Sequence, residues 1–98
     1  MTEVSLNTTL RVSDDVVFRE LDGEAVILNV ESGIYFGLDP VGTRMWQLIG
    51  SHPLLDSVLA ELEHEYDAPR EVLEGDLLGL VHELIAKGLL AFDATPTA

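Results

Sequence analysis

The hydrophobic period of this chain changes once, at Leu38-Asp39-Pro40, and that switch restricts the fold more than any other feature. Before it the apolar residues come in short β-rich runs; after it they recur at helical spacing. Val16-Val17-Phe18-Arg19-Glu20-Leu21 reads as a strand, and Asp22-Gly23 supplies the positive-φ dipeptide of a tight hairpin. A second strand is expected from Glu24 to Val30, where Ala25-Val26-Ile27-Leu28 is nearly continuous in apolar residues, as suits a strand between two neighbours. Glu31-Ser32-Gly33 reads as the next turn and Ile34 to Leu38 as a third strand.

Asp39-Pro40 then reads as an N-cap followed by proline at the first helical position, where a missing N–H costs nothing. Helix one is expected to turn Val41, Met45, Trp46, Leu48 and Ile49 to one face and to end at Gly50. Ser51 is expected to cap a second helix, with Pro53 near its start and Leu54, Leu55, Val58, Leu59 and Leu62 as its apolar stripe to about Tyr66. Asp67-Ala68-Pro69 opens a third helix that runs to Lys87 and stops at Gly88, leaving Leu89 to Phe92 as a short apolar tail. Residues 1–10 are expected to form a loose arm and Asp93 to Ala98 to be disordered. The fold class expected is α+β and winged-helix-like: a three-stranded antiparallel sheet followed by three helices. A chain of 98 residues makes one domain, with its ordered core at about residues 10–92.

Composition removes several function classes. The absence of cysteine excludes a disulfide framework, a thiol nucleophile and a thiolate metal site. With 18 acids against 5 bases the net charge is −13, which repels backbone phosphates and opposes a nucleic-acid partner. A winged-helix transcription regulator, the alternative that the fold class suggests, would need a basic recognition helix. Here Asp56, Glu61, Glu63, Glu65, Asp67, Glu71, Glu74, Asp76 and Glu83 face a single base, Arg70, over the same stretch. Such a run is either a solvated face or a surface that steers a basic partner. No apolar run is long enough to span a membrane, and Met1-Thr2-Glu3-Val4 lacks the positive charge of a secretory signal, so a cytoplasmic location is expected.

No catalytic constellation emerges. His52, His64 and His82 are widely spaced, and Glu61, His64 and Glu65 on one helix face read as solvated surface rather than a metal site. Ser32 and Ser57 lack a nucleophile-elbow setting, and Gly33, Gly37 and Gly42 lack the spacing of a dinucleotide loop. Trp46, on the apolar face of helix one, reads as core. The chain is therefore expected to hold no metal or cofactor and to catalyse no reaction.

What stands out instead is an edge. Ile34, Tyr35, Phe36, Gly37 and Leu38 form the outer strand of the meander and carry no charge, whereas edge strands are usually guarded by charge, proline or bulges. Either the Leu89–Phe92 tail, the third helix or a second copy covers this edge, or a partner strand adds to it. Helix three carries more apolar surface than one contact needs. Leu73, Leu77, Leu80 and Leu84 cluster within about 60° and are expected to face the core; Leu78 and Ile85 lie roughly 100° further round, with Val81 between. That second face packs on a neighbouring helix or walls a groove whose other side is the third strand. An extended peptide there would gain main-chain hydrogen bonds from the strand and side-chain pockets from the helix.

The order Val17-Phe18-Arg19-Glu20-Leu21, Ala25-Val26-Ile27-Leu28-Asn29, Ser32 through Trp46, Asp76 through Leu84 and Gly88-Leu89-Leu90 resembles the PqqD-like family. The resemblance covers roughly residues 10–92 and is most specific between Ser32 and Trp46. It implies a recognition element of pathways that modify ribosomally made peptides, of the pyrroloquinoline quinone or lasso-peptide type. Such a protein is a non-catalytic adaptor that binds the leader segment of a precursor peptide and presents it to a modifying enzyme, such as a radical enzyme or a leader peptidase. In that family the leader lies antiparallel on the third strand and against the third helix. Carried to this sequence, the implied peptide-binding residues are Ile34, Tyr35, Phe36, Gly37 and Leu38, with Leu77, Leu78, Val81 and Ile85 as the helix side chains. Some relatives are dimeric or domain-swapped, so a homodimer is among the states the resemblance allows.

Overall fold

The computed structural model describes residues 4–52 and 54–92; the expectations for Pro53 and for residues 93–98 lie outside them. The elements run β1 (Leu10–Val12), β2 (Val16–Leu21), β3 (Glu24–Asn29), β4 (Tyr35–Gly37), α1 (Pro40–Ser51), α2 (Leu55–Glu65), α3 (Arg70–Ala86) and β5 (Leu90–Phe92). The fold is α+β, with the expected meander present as the antiparallel sheet β2-β3-β4. Asp22 and Gly23 both hold positive φ, 56° and 81°, so the first hairpin is the mirror-image turn that matches strand twist. In the second turn Asn29 Oδ1 accepts the N–H groups of Glu31 and Ser32, and Gly33 takes φ 78°.

One face of this sheet is buried and the other is open. Ala25 and Ile27 point onto α1, whereas Val17, Val26 and Tyr35 on the opposite face are exposed. The apolar run in β3 therefore marks a strand flanked on both edges within a sheet covered on one side only, not a strand buried on both faces. Phe18, at the rim of the covered face, meets Trp46 edge-on with ring centroids 5.9 Å apart. Trp46 itself is buried, as expected.

Helix α1 starts as its sequence dictates: the Asp39 side chain accepts the Gly42 N–H at 2.7 Å and Pro40 occupies the first turn. A Cβ on Gly42 would lie 3.1 Å from Asp39 Oδ1 and 3.2 Å from Leu38 Cδ2, so the tight cap favours glycine there. One turn on, the buried Thr43 ties helix to sheet, its Oγ1 accepting the Ala25 N–H at 2.8 Å. Thr43→Val keeps the shape but leaves that buried donor unmade, and is expected to lower unfolding free energy by about 1–3 kcal/mol in denaturant titration. The helix outlasts Gly50 and ends at Ser51, whose hydroxyl donates back to the Gln47 carbonyl. Ser51 is thus not the cap of α2.

Helix α2 has no side-chain cap at all. Its first N–H groups are satisfied by the amino-terminal segment: Leu55 N–H donates to the Thr8 carbonyl at 3.1 Å and Asp56 N–H to that of Leu6 at 2.9 Å. Residues 4–12 are therefore a fastened element rather than a loose arm. Leu6 packs on the core, Thr9 bridges Leu54, and β1 pairs antiparallel with β5, Leu10 opposite Phe92. The apolar tail is accordingly a strand, and its partner is β1 and not the edge of the main sheet.

Helix α3 closes at Gly88 (φ 74°) with the Leu89 N–H on the Leu84 carbonyl and the Gly88 N–H on that of Ile85, the paired bonds of a Schellman end. Its buried residues are Leu73, Leu77, Val81 and Leu84, so Val81 takes the core place expected of Leu80. On the surface, the Arg44 guanidinium forks onto both carboxylate oxygens of Glu65, each at 2.6 Å, joining α1 to α2. These hydrogen bonds hold the Glu65 carboxyl below its ordinary range. A carboxylate depressed in the folded state stabilises above its unfolded pKa, and the contribution disappears as pH falls through the lower folded value. Arg44→Gln is expected to return the Glu65 titration, followed by carboxyl carbon shifts, to that of an ordinary glutamate. An unchanged titration would show that the fork does not persist in solution.

Candidate functional site

Which backbone groups β4 leaves free follows from its hydrogen-bond parity. Asn29 N–H donates to Ile34 O and Leu38 N–H to Ala25 O, both at 2.8 Å. Bonded pairs in an antiparallel ladder recur every second residue, so Phe36 and Ile27 form the bonded pair between them. Tyr35 and Gly37 are the non-bonded positions, and their N–H and C=O groups point away from β3. Among the described residues no strand pairs with this side of β4. The edge therefore presents two donors and two acceptors, alternating along Tyr35-Phe36-Gly37.

Beside that edge lies a cleft of about 420 Å³. Phe36, Gly37 and Leu38 form one wall, Val41, Gly42 and Met45 of α1 the floor, and Asp76 and Leu80 of α3 the facing wall, with Asp39 at the end. Apolar side chains, with two aspartates, thus line a cleft beside free main-chain groups, the combination an added strand requires. Val41, expected on the core face of α1, is partly exposed here instead.

The structure brings Phe36, Gly37 and Leu38 to the cleft, whereas Ile34 and Tyr35 are exposed and do not line it, the Tyr35 side chain lying on the open face of the sheet. It disposes the helix residues differently. Leu77 and Val81 have no exposed surface and belong to the core. Leu78 and Ile85 are half-buried and lie about 160° and 140° round the helix from Leu80. The α3 side chains that reach the cleft are Asp76 and Leu80, which sequence reasoning did not assign to it. Lys87 adds to the same flank, its Nζ 5.7 Å from the centroid of the Phe36 ring. Asn29 fixes the relation of sheet to helix, its Nδ2 donating to the Gly88 carbonyl at 3.0 Å.

Among the described residues no group of three or more histidine, aspartate or glutamate side chains is arranged to hold a metal ion. Nor is any helix long and apolar enough to cross a membrane. The outer surface of α3 carries Glu71, Asp76 and Glu83, while Arg70 is engaged by Glu63 and Asp56, so nothing in it favours the regulator reading.

Fold and cleft together define a small winged-helix-like α+β domain whose sheet ends, among the described residues, in an unpaired strand beside a cleft lined by apolar side chains and two aspartates. The chain belongs to the PqqD family, described as coenzyme PQQ synthesis protein D, whose family model matches residues 24–90. It is also similar to the solved structure of TbiB1 in complex with the TbiA(beta) leader peptide. That likeness has 32% identity and a TM-score of 0.77, covering 89% of this chain and 99% of the other. A second structure, lasso peptide synthetase B1 complexed with the leader peptide, matches at 24% identity with a TM-score of 0.76, over 85% and 98% of the two chains. At that identity it supports the fold alone. No curated protein matches the sequence.

Proposed function

We propose that this chain binds the leader segment of a ribosomally made precursor peptide, by strand addition to β4, and presents the peptide to a modifying enzyme. The observation that carries this reading is the free edge of β4 alongside the cleft between α1 and α3. Family membership and the likeness to a chain solved with its leader peptide support it. In this reading residues 4–92 act as one cytoplasmic recognition domain with no chemistry of its own. The peptide contacts are Tyr35, Phe36, Gly37 and Leu38 with Asp76 and Leu80, while Leu77 and Val81 contribute by holding α3 in place.

A leader bound this way forms its main-chain bonds with Tyr35 and Gly37 and buries apolar side chains against Leu80 and Met45. Titration of the isotope-labelled protein with synthetic leader peptides of candidate precursors tests the reading. Amide shifts are expected at Tyr35, Gly37 and Leu38 and methyl shifts at Leu80. Shifts confined to α2 or to the β1–β5 pair would sink the proposal. Modifying activity is expected only when the partner enzyme is added, and turnover of the precursor by the purified chain alone would overturn the adaptor role.

A further inference from the structure

We infer that the cleft, acidic at Asp39 and Asp76 and flanked by Lys87 beyond Phe36, selects an extended peptide carrying a basic residue four positions before an acidic one. This rests on the strand-addition reading above. Asp76, Leu80 and Lys87 fall within about 40° on one flank of α3, so they form a line along the helix facing β4. Strand and helix run in opposite directions there: Lys87 sits over Phe36, and the Asn29 bond to Gly88 holds the start of β4 near the end of α3. The far end of the strand, Leu38 and Asp39, consequently meets the earlier part of the helix, where Asp76 lines the cleft. Asp39 uses one carboxylate oxygen to cap α1, and its charge still adds to that of Asp76. Among the described residues no carboxylate lies within ion-pair distance of Lys87, which leaves its ammonium group open to a peptide carboxylate at the other end. Glu83, one turn before it and about 40° round the helix, is exposed and forms no ion pair with it, and Lys87 itself flanks the cleft through the Phe36 ring rather than lining it.

An antiparallel strand on β4 has its N-terminal end beside Leu38 and its C-terminal end beside Ile34. Its basic side chain would then reach Asp76 and Asp39, and its acidic one Lys87. From Asp76 to Lys87 the helix rises about 16 Å, at about 1.5 Å per residue. Side chains on one face of a strand recur every second residue, so positions four apart span about 13 Å and side-chain reach covers the remainder. The position between them faces Leu80 and is apolar. The ligand is thus an extended segment reading basic, any, apolar, any, acidic.

A yeast-displayed library of random dodecapeptides, panned against the purified chain and against an Asp76→Lys, Lys87→Glu double variant, tests this. Both substitutions lie on the surface flank of α3 and leave the Asp39 cap intact; circular dichroism checks the fold. Binders of the unaltered chain are expected to carry the basic-to-acidic order and to shift the Tyr35 and Gly37 amides when synthesised. Exchanging the two charges in such a peptide should weaken binding about tenfold at low salt, and the double variant should prefer the exchanged peptide. Binders that shift Tyr35 and Gly37 without any charge order would overturn the polarity and leave strand addition standing. Binders that leave those amides unmoved, or no binders at all, would overturn both.

Discussion

Gly37→Pro is expected to weaken leader binding about ten- to a hundred-fold while leaving the domain folded. The Gly37 N–H points away from β3, so proline removes a donor the sheet does not use, and edge positions of this kind tolerate proline. A Cβ at Gly37 meets nothing within 4 Å, which leaves room for the ring. The bound peptide, by contrast, loses one main-chain bond and keeps a carbonyl without a partner in an apolar channel, a cost of about 1–3 kcal/mol. Calorimetric titration and thermal unfolding on the same sample separate the two effects. Phe36→Pro would not, because the Phe36 N–H belongs to the ladder with Ile27 and its loss attacks the sheet itself. Undiminished affinity in folded Gly37→Pro would rule out strand addition at β4.

Leu77→Ala is expected to lower unfolding free energy by about 2–5 kcal/mol, measured by denaturant titration. Leu77 is completely buried at the centre of α3, so truncation leaves a cavity that only partial relaxation can fill. Leu80→Ala, on the half-buried flank that lines the cleft, should cost little stability and act mainly on peptide affinity. Were the order reversed, with Leu80 the stability residue, the assignment of the two helix flanks would be wrong.

The contrast between Leu77 and Leu80 shows where sequence reasoning stopped. Asp22-Gly23, Asp39-Pro40 and Gly88 were legible because each specifies a backbone geometry by itself, whereas Gly50 and Ser51, read as a helix end and a cap, are both inside α1. The uncharged edge strand was legible for the same reason, since charge and proline are visible residue by residue. Helix α3 is apolar over an arc of about 160°, from Leu80 round through Leu77 and Val81 to Leu78. A period read from such a helix names no single face, so it cannot say which flank borders β4. That choice is made by tertiary contacts, above all the packing of α3 on α2, β5 and α1. The amino-terminal segment was misjudged through a related blindness. Residues 5–9 carry no strong apolar pattern, and their role lies in main-chain carbonyls that satisfy a helix some fifty residues away in sequence.

The pairing of β1 with β5 also bears on how such a domain can be joined to other proteins. Because Leu10 stands opposite Phe92, β5 is clamped by one short ladder to the strand that leads back through residues 4–9 to the start of α2. A domain grafted after Phe92 would therefore load β1 and, through the Leu6 and Thr8 carbonyls, the start of α2. The proposed binding edge of β4 belongs to the other sheet, so such grafts leave its hydrogen-bonding register untouched.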